Sequence, residues 1–399
     1  MMLGSGSRKI FKQNAVKGRG RLKTGLKIVL IGTLTSSALG FRRELIQDLV
    51  SRGHSVYVLA INYDQASTQK IRSLGAVPVP YKFSRTGLNP IKDLINTLYL
   101  AKELWRIKPD RVLSYFAKPV IFGTLAASLA GIKQRFAMLE GLGAAFTEQP
   151  EKASLRMRFI KKTQCRLYKL ALPLAKRVIF LNRDDADELI NIEGIRVNAR
   201  SILGPIGLDL KMFPYSIPPV DPVRFVFVGR LLRDKGVYEY IAAASQLKAD
   251  FPDVIFSIIG GLDTDNPRAL SAEDLAAIVA EGGIEYCGEV DNMAHHLAAS
   301  SVFVLPSYRE GYPRSTQEAM AIGRPIITTD VPGCRETVND GVNGFLIPPW
   351  QVEVLVDKMR YFIEHKHEIV VMGRQSYQFA KDNFDVTKVN DKLIKLMDL

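Results

Sequence analysis

The chain has 399 residues, of which 47% are hydrophobic and 24% charged, with a net charge of +13. That length and balance describe two or three ordinary globular domains and exclude a single small module or a disordered polyelectrolyte. The charge is split: residues 1–205 carry 35 Lys/Arg against 14 Asp/Glu, and residues 206–399 carry 19 against 27. The basic half therefore calls for an anionic partner, whether membrane surface, phosphorylated substrate or nucleic acid. Cys165, Cys287 and Cys334 are odd in number and widely spaced, which argues against a disulfide framework or a zinc site and fits a reducing, cytoplasmic setting.

In chain order, residues 1–26 read as a basic flexible tail: the first 27 residues hold eight Lys/Arg and no acid. Such a tail is either solvated or a tether to anionic lipid, at about 1 kcal/mol per basic residue near the surface. It is not read as a signal peptide, because the apolar run Ile28–Ile31 is short and is broken by Gly32, Thr33, Thr35 and Ser36. No apolar run reaches the ~18 residues that a membrane span needs. Strands are expected at Lys27–Ile31, Ser55–Ala60, Arg111–Ser114, Arg135–Leu139 and Arg177–Leu181, with helices over 41–52, 90–107, 119–131 and 154–175 between them. A second cycle begins near residue 222, with strands at Arg224–Val228, Val254–Ile259, Ser301–Leu305 and Pro325–Thr329. Tyr215–Pro222 carries three prolines and no helical period, so it reads as a linker. The βαβα rhythm predicts an α/β protein with parallel sheets covered on both faces. The expected domains are 27–212, a linker at 213–222, a second domain at 223–375 and a terminal helical piece at 376–399 returning to the first domain.

Two segments concentrate chemistry. In Val304–Ala321 (VLPSYREGYPRSTQEAMA) a buried strand runs into a polar loop and then a helix, with Ser315 or Thr316 as the expected N-cap. First-turn amides of that helix offer an anion site, and Glu318 can accept two hydrogen bonds from a vicinal diol such as a ribose. Glu310 and Glu318 are also accounted for as acids that favour a helix N-terminus. In Phe225–Gly236 (FVFVGRLLRDKG) a strand ends at Gly229, and Arg230 and Lys235 follow as a fork and a point charge suited to a diphosphate; a solvated basic loop is the plainer alternative.

With Glu310 and Glu318 in E-x₇-E spacing, and with GRLLRDKG at 229–236, the 306–321 stretch, GRPIITTDVPGCRETVNDGVNGFLIPP at 323–349, SYFAKPVIFG at 114–123 and EGLGAAFT at 140–147, the chain resembles family-4 retaining glycosyltransferases over residues 27–399. Its N-terminal cues point further, to a branch that resembles bacterial enzymes extending undecaprenyl-diphosphate-linked sugars during polysaccharide or glycan assembly. The resemblance implies the GT-B fold, two facing Rossmann-like domains, and no required cofactor or metal beyond a donor nucleotide sugar, taken as UDP-linked. It implies that Arg230 and Lys235 hold the donor diphosphate, that Glu310 contacts the donor sugar, and that Glu318 binds the ribose. It further implies that the Gly311–Ser315 backbone, including Tyr312, Pro313 and Arg314, meets sugar and phosphate, and that Gly32, Gly229 and Val290 line the donor site, the last within the base-binding loop Gly288–Asn292. On the acceptor side it suggests Phe41, Arg42 and Glu140; Arg85, in SRTGLNP, and Lys118, in FAKPV after a strand, are single loop cations suited either to an acceptor diphosphate or to solvent. Two departures stand out: Gly311-Tyr312-Pro313 follows the first glutamate where many relatives have Gly-Phe-Gly or Gly-Leu-Pro, and Glu140-Gly141-Leu142-Gly143 occupies the region where many place a histidine.

Asp263-Thr264-Asp265 matches a D-x-D metal motif but sits in GGLDTDNP, the composition of a surface turn. His295-His296 point about 100° apart on a helix and read as ordinary helix residues. The stretch Glu151–Arg177 carries nine Lys/Arg and one acid with an apolar side at Leu155, Phe159, Leu167, Leu170 and Leu174, so it is either a packed surface helix or one resting on anionic lipid. The leading expectation is a peripheral enzyme of the inner membrane face that moves a hexose or N-acetylhexosamine to a polyprenyl-diphosphate saccharide. The alternatives are the same chemistry on a soluble acceptor and a nucleic-acid binder, for which no reading motif is present.

Overall fold

The computed structural model describes residues 25–84, 89–151, 154–263, 266 and 268–399. Wholly apolar runs such as Ile28–Ile31 and Phe225–Val228 are buried on both faces, which is what a parallel sheet covered by helices demands. The first sheet is built from β1 (Lys27–Leu34), β2 (Ser55–Ile61), β3 (Val77–Pro80), β4 (Arg111–Tyr115), β5 (Arg135–Leu139), β6 (Arg177–Phe180) and β7 (Arg200–Ile202). Among the described residues these seven strands lie in the order β3-β2-β1-β4-β5-β6-β7, all parallel. The second sheet is built from β8 (Arg224–Val228), β9 (Ile255–Ile259), β10 (Glu285–Gly288), β11 (Val302–Leu305), β12 (Ile326–Thr329) and β13 (Gly344–Ile347), in the order β10-β9-β8-β11-β12-β13. The expected α/β class with two Rossmann-like sheets is thus present.

The covering helices of the first half are α1 (Thr35–Phe41), α2 (Arg43–Ser51), α3 (Gln65–Ser73), α4 (Pro90–Ile107), α5 (Thr124–Leu129), α6 (Leu155–Ala171) and α7 (Arg183–Asp187). Those of the second half are α8 (Val237–Asp250), α9 (Ala272–Ala280), α10 (Met293–Ala298), α11 (Arg314–Ile322), α12 (Val352–Glu364), α13 (Lys366–Asn383) and α14 (Val386–Leu396). Residues 213–222 contain neither helix nor strand. The expected cut at 375 falls inside α13, which runs unbroken over Lys366–Asn383; Gly373 lets it pack closely on the end of α11, where a Cβ would stand 2.3 Å from the Gly323 carbonyl oxygen. The chain crosses back one helix later. In α14, Asp391 pairs with Arg52 of α2, and Lys392 Nζ donates to the Leu203 carbonyl at 2.6 Å.

Strand order points to a candidate site. It reverses between β1 and β4 in the first sheet and between β8 and β11 in the second, and open parallel sheets bind ligands outside the strand C-termini at such switch points. Gly32 and Gly229 lie at those two ends, and the 306–313 loop follows β11. No helix among the described residues is long and apolar enough to cross a membrane.

Candidate active site

The loop after β8 makes a single 3₁₀ turn at Arg233–Lys235 and ends on Gly236, whose φ of +75° is left-handed. A Cβ on Gly236 would stand 2.0 Å from the Pro306 carbonyl, so only glycine lets this turn lie against the loop after β11. The close approach delivers Lys235 Nζ to within 2.5 Å of Glu310 Oε1. Ser307 Oγ donates to the same carboxylate oxygen at 2.8 Å. Glu310 is also gripped through its backbone: its N–H donates to the Pro332 carbonyl at 3.0 Å, and Gly333, at φ +79°, leaves no room for a Cβ beside the Glu310 carbonyl. Thus three segments, the ends of β8, β11 and β12, fix one acid and one base. Arg230 is more open, with half its side chain exposed, and its Nη1 meets Asp263 Oδ2 at 2.8 Å.

Helix α11 starts at Arg314 with Pro313 as its N-cap, not Ser315 or Thr316, and no side chain caps it. The proline fixes φ near −64°, as the helix entry requires, but it has no N–H to give a ligand, so the expected amide cradle lacks that donor. The remaining first-turn amides have no intrahelical partner by helix geometry. Tyr312 turns its ring into the core against Phe384 and donates its hydroxyl to the Glu336 carbonyl at 3.1 Å, so it can offer a ligand only backbone. Glu318 accepts from Arg314 Nε at 2.8 Å. Burial pushes its carboxyl above the ordinary range, and Arg314 pulls it back. Arg314 reaches across to the first domain: Nη1 donates to the Gly40 carbonyl at 2.7 Å, and its guanidinium lies 5.4 Å from the Phe41 ring centroid.

The first domain contributes a buried pair. Arg42 is bonded to Glu140, and the two side chains are 3% and 6% exposed. The Arg42 guanidinium also stands 5.0 Å over the Tyr115 ring. Burial raises the Glu140 carboxyl, with Arg42 opposing it. Gly32 permits this packing, since a Cβ there would fall 2.2 Å from the Tyr115 hydroxyl. Glu140 is therefore a held side chain and not a free base. The backbones of the two domains touch here: a Cβ on Gly311 would lie 2.3 Å from the Glu140 carbonyl oxygen. Lys118 sits apart from this cluster. Its Nζ donates to the Ser84 hydroxyl at 2.7 Å and stands 3.6 Å from Asp93 at the start of α4. Arg85 lies outside the described residues, as do Thr264, Asp265 and the segment 1–24. Val290 is half-buried at the end of the second sheet, where Gly260 N–H donates to Gly288 O at 2.8 Å and Gly229 abuts Gly260.

Sequence reading named Arg314 but missed other residues that join the halves. Asn182, wholly buried, donates Nδ2 to the Gly311 carbonyl at 2.7 Å. Arg309 pairs with buried Asp185 at 2.5 Å and donates to the Phe146 carbonyl at 3.1 Å. Asn182 was legible as the cap of α7, where its side chain accepts from Asp185 N–H, but its second bond spans 129 positions and leaves no local signal. Asp234 supports the base turn through Arg268 Nη1 at 2.8 Å and Gln149 Nε2 at 3.0 Å. An open cavity of about 1050 Å³ adjoins this support, lined by Phe146, Gln149, Lys161, Arg233, Glu239 and Arg309. It does not include Lys235, Glu310 or Glu318, so charge and backbone approach, not volume, mark the candidate site. Among the described residues no group of three or more His, Cys, Asp or Glu is placed to hold a metal ion.

A family model described as glycosyl transferases group 1 matches residues 222–365. The chain is 32% identical over 386 residues to the N,N'-diacetylbacillosaminyl-diphospho-undecaprenol alpha-1,3-N-acetylgalactosaminyltransferase of Campylobacter jejuni, covering 94% of this chain and 98% of that protein. The chain belongs to the group 1 glycosyltransferases. It is 26% identical to an Escherichia coli UDP-Gal:alpha-D-GlcNAc-diphosphoundecaprenol alpha-1,3-galactosyltransferase over 77% of this chain and 80% of that one. Among solved structures it superposes on the sucrose-phosphate synthase of Thermosynechococcus elongatus with a TM-score of 0.76 at 17% identity, covering 93% and 98% of the two chains. It superposes on Anabaena HepE in complex with UDP and glucose with a TM-score of 0.75 at 18% identity, covering 94% and 99%. These likenesses establish the GT-B fold. The enzyme is a nucleotide-sugar-dependent glycosyltransferase.

Proposed function

We propose that this glycosyltransferase moves a hexose or N-acetylhexosamine from a UDP-sugar to a saccharide carried on a polyprenyl diphosphate, with retained configuration, while peripherally bound to the inner face of the membrane. The observation that carries the reading is the Lys235–Glu310 contact beside Arg230, at the switch point of the second sheet. It is supported by the names of the two relatives above, both of which act on undecaprenyl-linked sugars. Lys235 and Arg230 carry the positive charge that would offset the diphosphate as it departs, an effect largest where water is excluded. Glu318 would accept hydrogen bonds from the ribose diol, displacing or sharing Arg314. Glu310, steadied by Ser307, would orient the sugar hydroxyls.

In the step itself the bond between the donor's anomeric carbon and the diphosphate oxygen breaks, and its electron pair stays with the UDP oxygen. The acceptor hydroxyl oxygen bonds to the anomeric carbon from the same face, and its proton passes to the departing phosphate oxygen. No separate base is required. On this reading Arg42 and Glu140 would shape the acceptor side, and Lys118 would meet the acceptor diphosphate. The deciding experiment incubates the purified enzyme with a panel of labelled nucleotide sugars and a bacterial lipid extract. Label from a UDP-sugar should enter the organic phase. Label that enters only water-soluble product, with none in lipid, would overturn the acceptor assignment.

A further inference from the structure

Helix α4 is apolar on two sides, one buried against the sheet and one facing outward. Its buried face, Leu100, Ala101 and Leu104, packs on Val29, Ile31 and Val112 of the first sheet. On the opposite side Ile91, Leu94, Leu98 and Trp105 are 73, 61, 54 and 63% exposed. Those positions fall within about 100° of arc on a 3.6-residue helix, and Lys102 lies in the same arc with Arg106 at its edge. A solvated helix puts polar residues there. Helix α6 repeats the pattern: Leu155 and Phe159 are 81 and 68% exposed, set among exposed Arg158, Lys162 and Arg166. Residues Leu155–Ala171 hold six Lys/Arg and no acid.

The two helices lie on one side of the molecule. Val112 and Ser114 of β4 share a sheet face, and in register Ser114 neighbours Ala137, which packs with α6 residues Cys165 and Tyr168. Thus α4 and α6 cover the same face of the first sheet, with α5 between them, and together present apolar side chains in a cationic frame. A second protein copy would have to bury this positive frame against itself. An anionic bilayer satisfies both features: acyl chains take the Leu and Trp side chains and headgroups take the Lys and Arg. The start of α4 holds Lys118 through Asp93, and Met157 and Lys161 of α6 line the cavity beside Arg309.

We infer that the outer face of α4, flanked by α6, is the surface on which this enzyme docks to anionic lipid, with Leu94, Leu98 and Trp105 inserted below the headgroups. This rests on the membrane-associated reading above and adds that insertion, not charge alone, holds the enzyme. The test is flotation with phosphatidylglycerol–phosphatidylcholine vesicles at low and high salt, alongside calorimetric UDP binding. Wild type should float and keep part of its binding at high salt. L94Q/L98Q/W105Q should lose about a hundredfold in partition, the order expected for removing three inserted apolar side chains, with UDP affinity unchanged. Trp105 gives an independent readout in the wild type: its emission should shift to the blue when vesicles are added. Equal flotation of the triple variant, no flotation of the wild type, or no emission shift overturns the assignment. So does a wild-type dimer that the triple variant converts to monomer, since the face would then be self-associating. Absence of UDP binding in the wild type would count against the catalytic reading alone, because flotation is scored without nucleotide.

Discussion

Replacing Lys235 with alanine removes the cation that stands 2.5 Å from Glu310, in a pair whose side chains are 24% and 10% exposed. Two consequences follow, and they separate. The pair lies between the surface and fully buried cases, so its loss should cost about 1–2 kcal/mol of stability, leaving Glu310 with the Ser307 hydroxyl. If Lys235 also neutralises the departing diphosphate, turnover should fall by about 10²–10³, equivalent to about 2.7–4 kcal/mol of transition-state stabilisation. The assay is the initial rate of labelled sugar entering lipid, read beside the thermal midpoint. The double variant K235A/E310Q isolates the stability cost, because it removes the stranded charge. Its stability should recover while its turnover stays low. Near wild-type turnover in K235A, or recovery of turnover in the double variant, would show that the pair is scaffold and refute the donor role.

Glu318 should make UDP binding pH-dependent. Burial lifts its carboxyl above the ordinary range, so binding that needs the carboxylate is complete above that raised value and is lost as pH falls through it; calorimetry of E318Q should show weaker binding without that acid limb. R309A should destabilise the enzyme by about 3–5 kcal/mol in chemical denaturation, because it leaves Asp185 buried and unpaired between the domains. G236A should lower both stability and turnover, since the left-handed turn and the 2.0 Å approach to Pro306 tolerate no Cβ; a variant with unaltered thermal midpoint would contradict the geometry.

Much of the second domain was legible because its chemistry is local. Arg230, Lys235 and Glu310 sit in loops at strand ends and Glu318 in the second turn of α11, positions that the motif resemblance marks. Strands with continuous apolar runs, such as those at Lys27 and Arg224, were equally plain. The short strands Val77–Pro80, Arg200–Ile202 and Glu285–Gly288 were not, because each is an edge or near-edge strand whose residues are only partly buried and carry little period. The N-cap at Ser315 failed for a physical reason as well: Pro313 sets the helix entry by its fixed φ without any side-chain acceptor.

The charge asymmetry of the opening composition belongs to the sequence alone, as does the alternation that dictates parallel sheets. Both follow from residue types in order, which no folding can change. Sequence also exposed the Leu155–Ala171 helix as basic and amphipathic. Tertiary structure decided which face of each helix remains outside. The window 90–107 carries apolar residues on nearly every side, so periodicity could not tell its sheet-facing stripe of Leu100 and Leu104 from the outward stripe of Leu94, Leu98 and Trp105. Likewise the Arg42–Glu140 pair and the Asn182 bond to Gly311 join positions 98 and 129 apart. Such contacts depend on where the fold brings distant strand ends together, within one sheet or between the two, and only the folded chain holds that information.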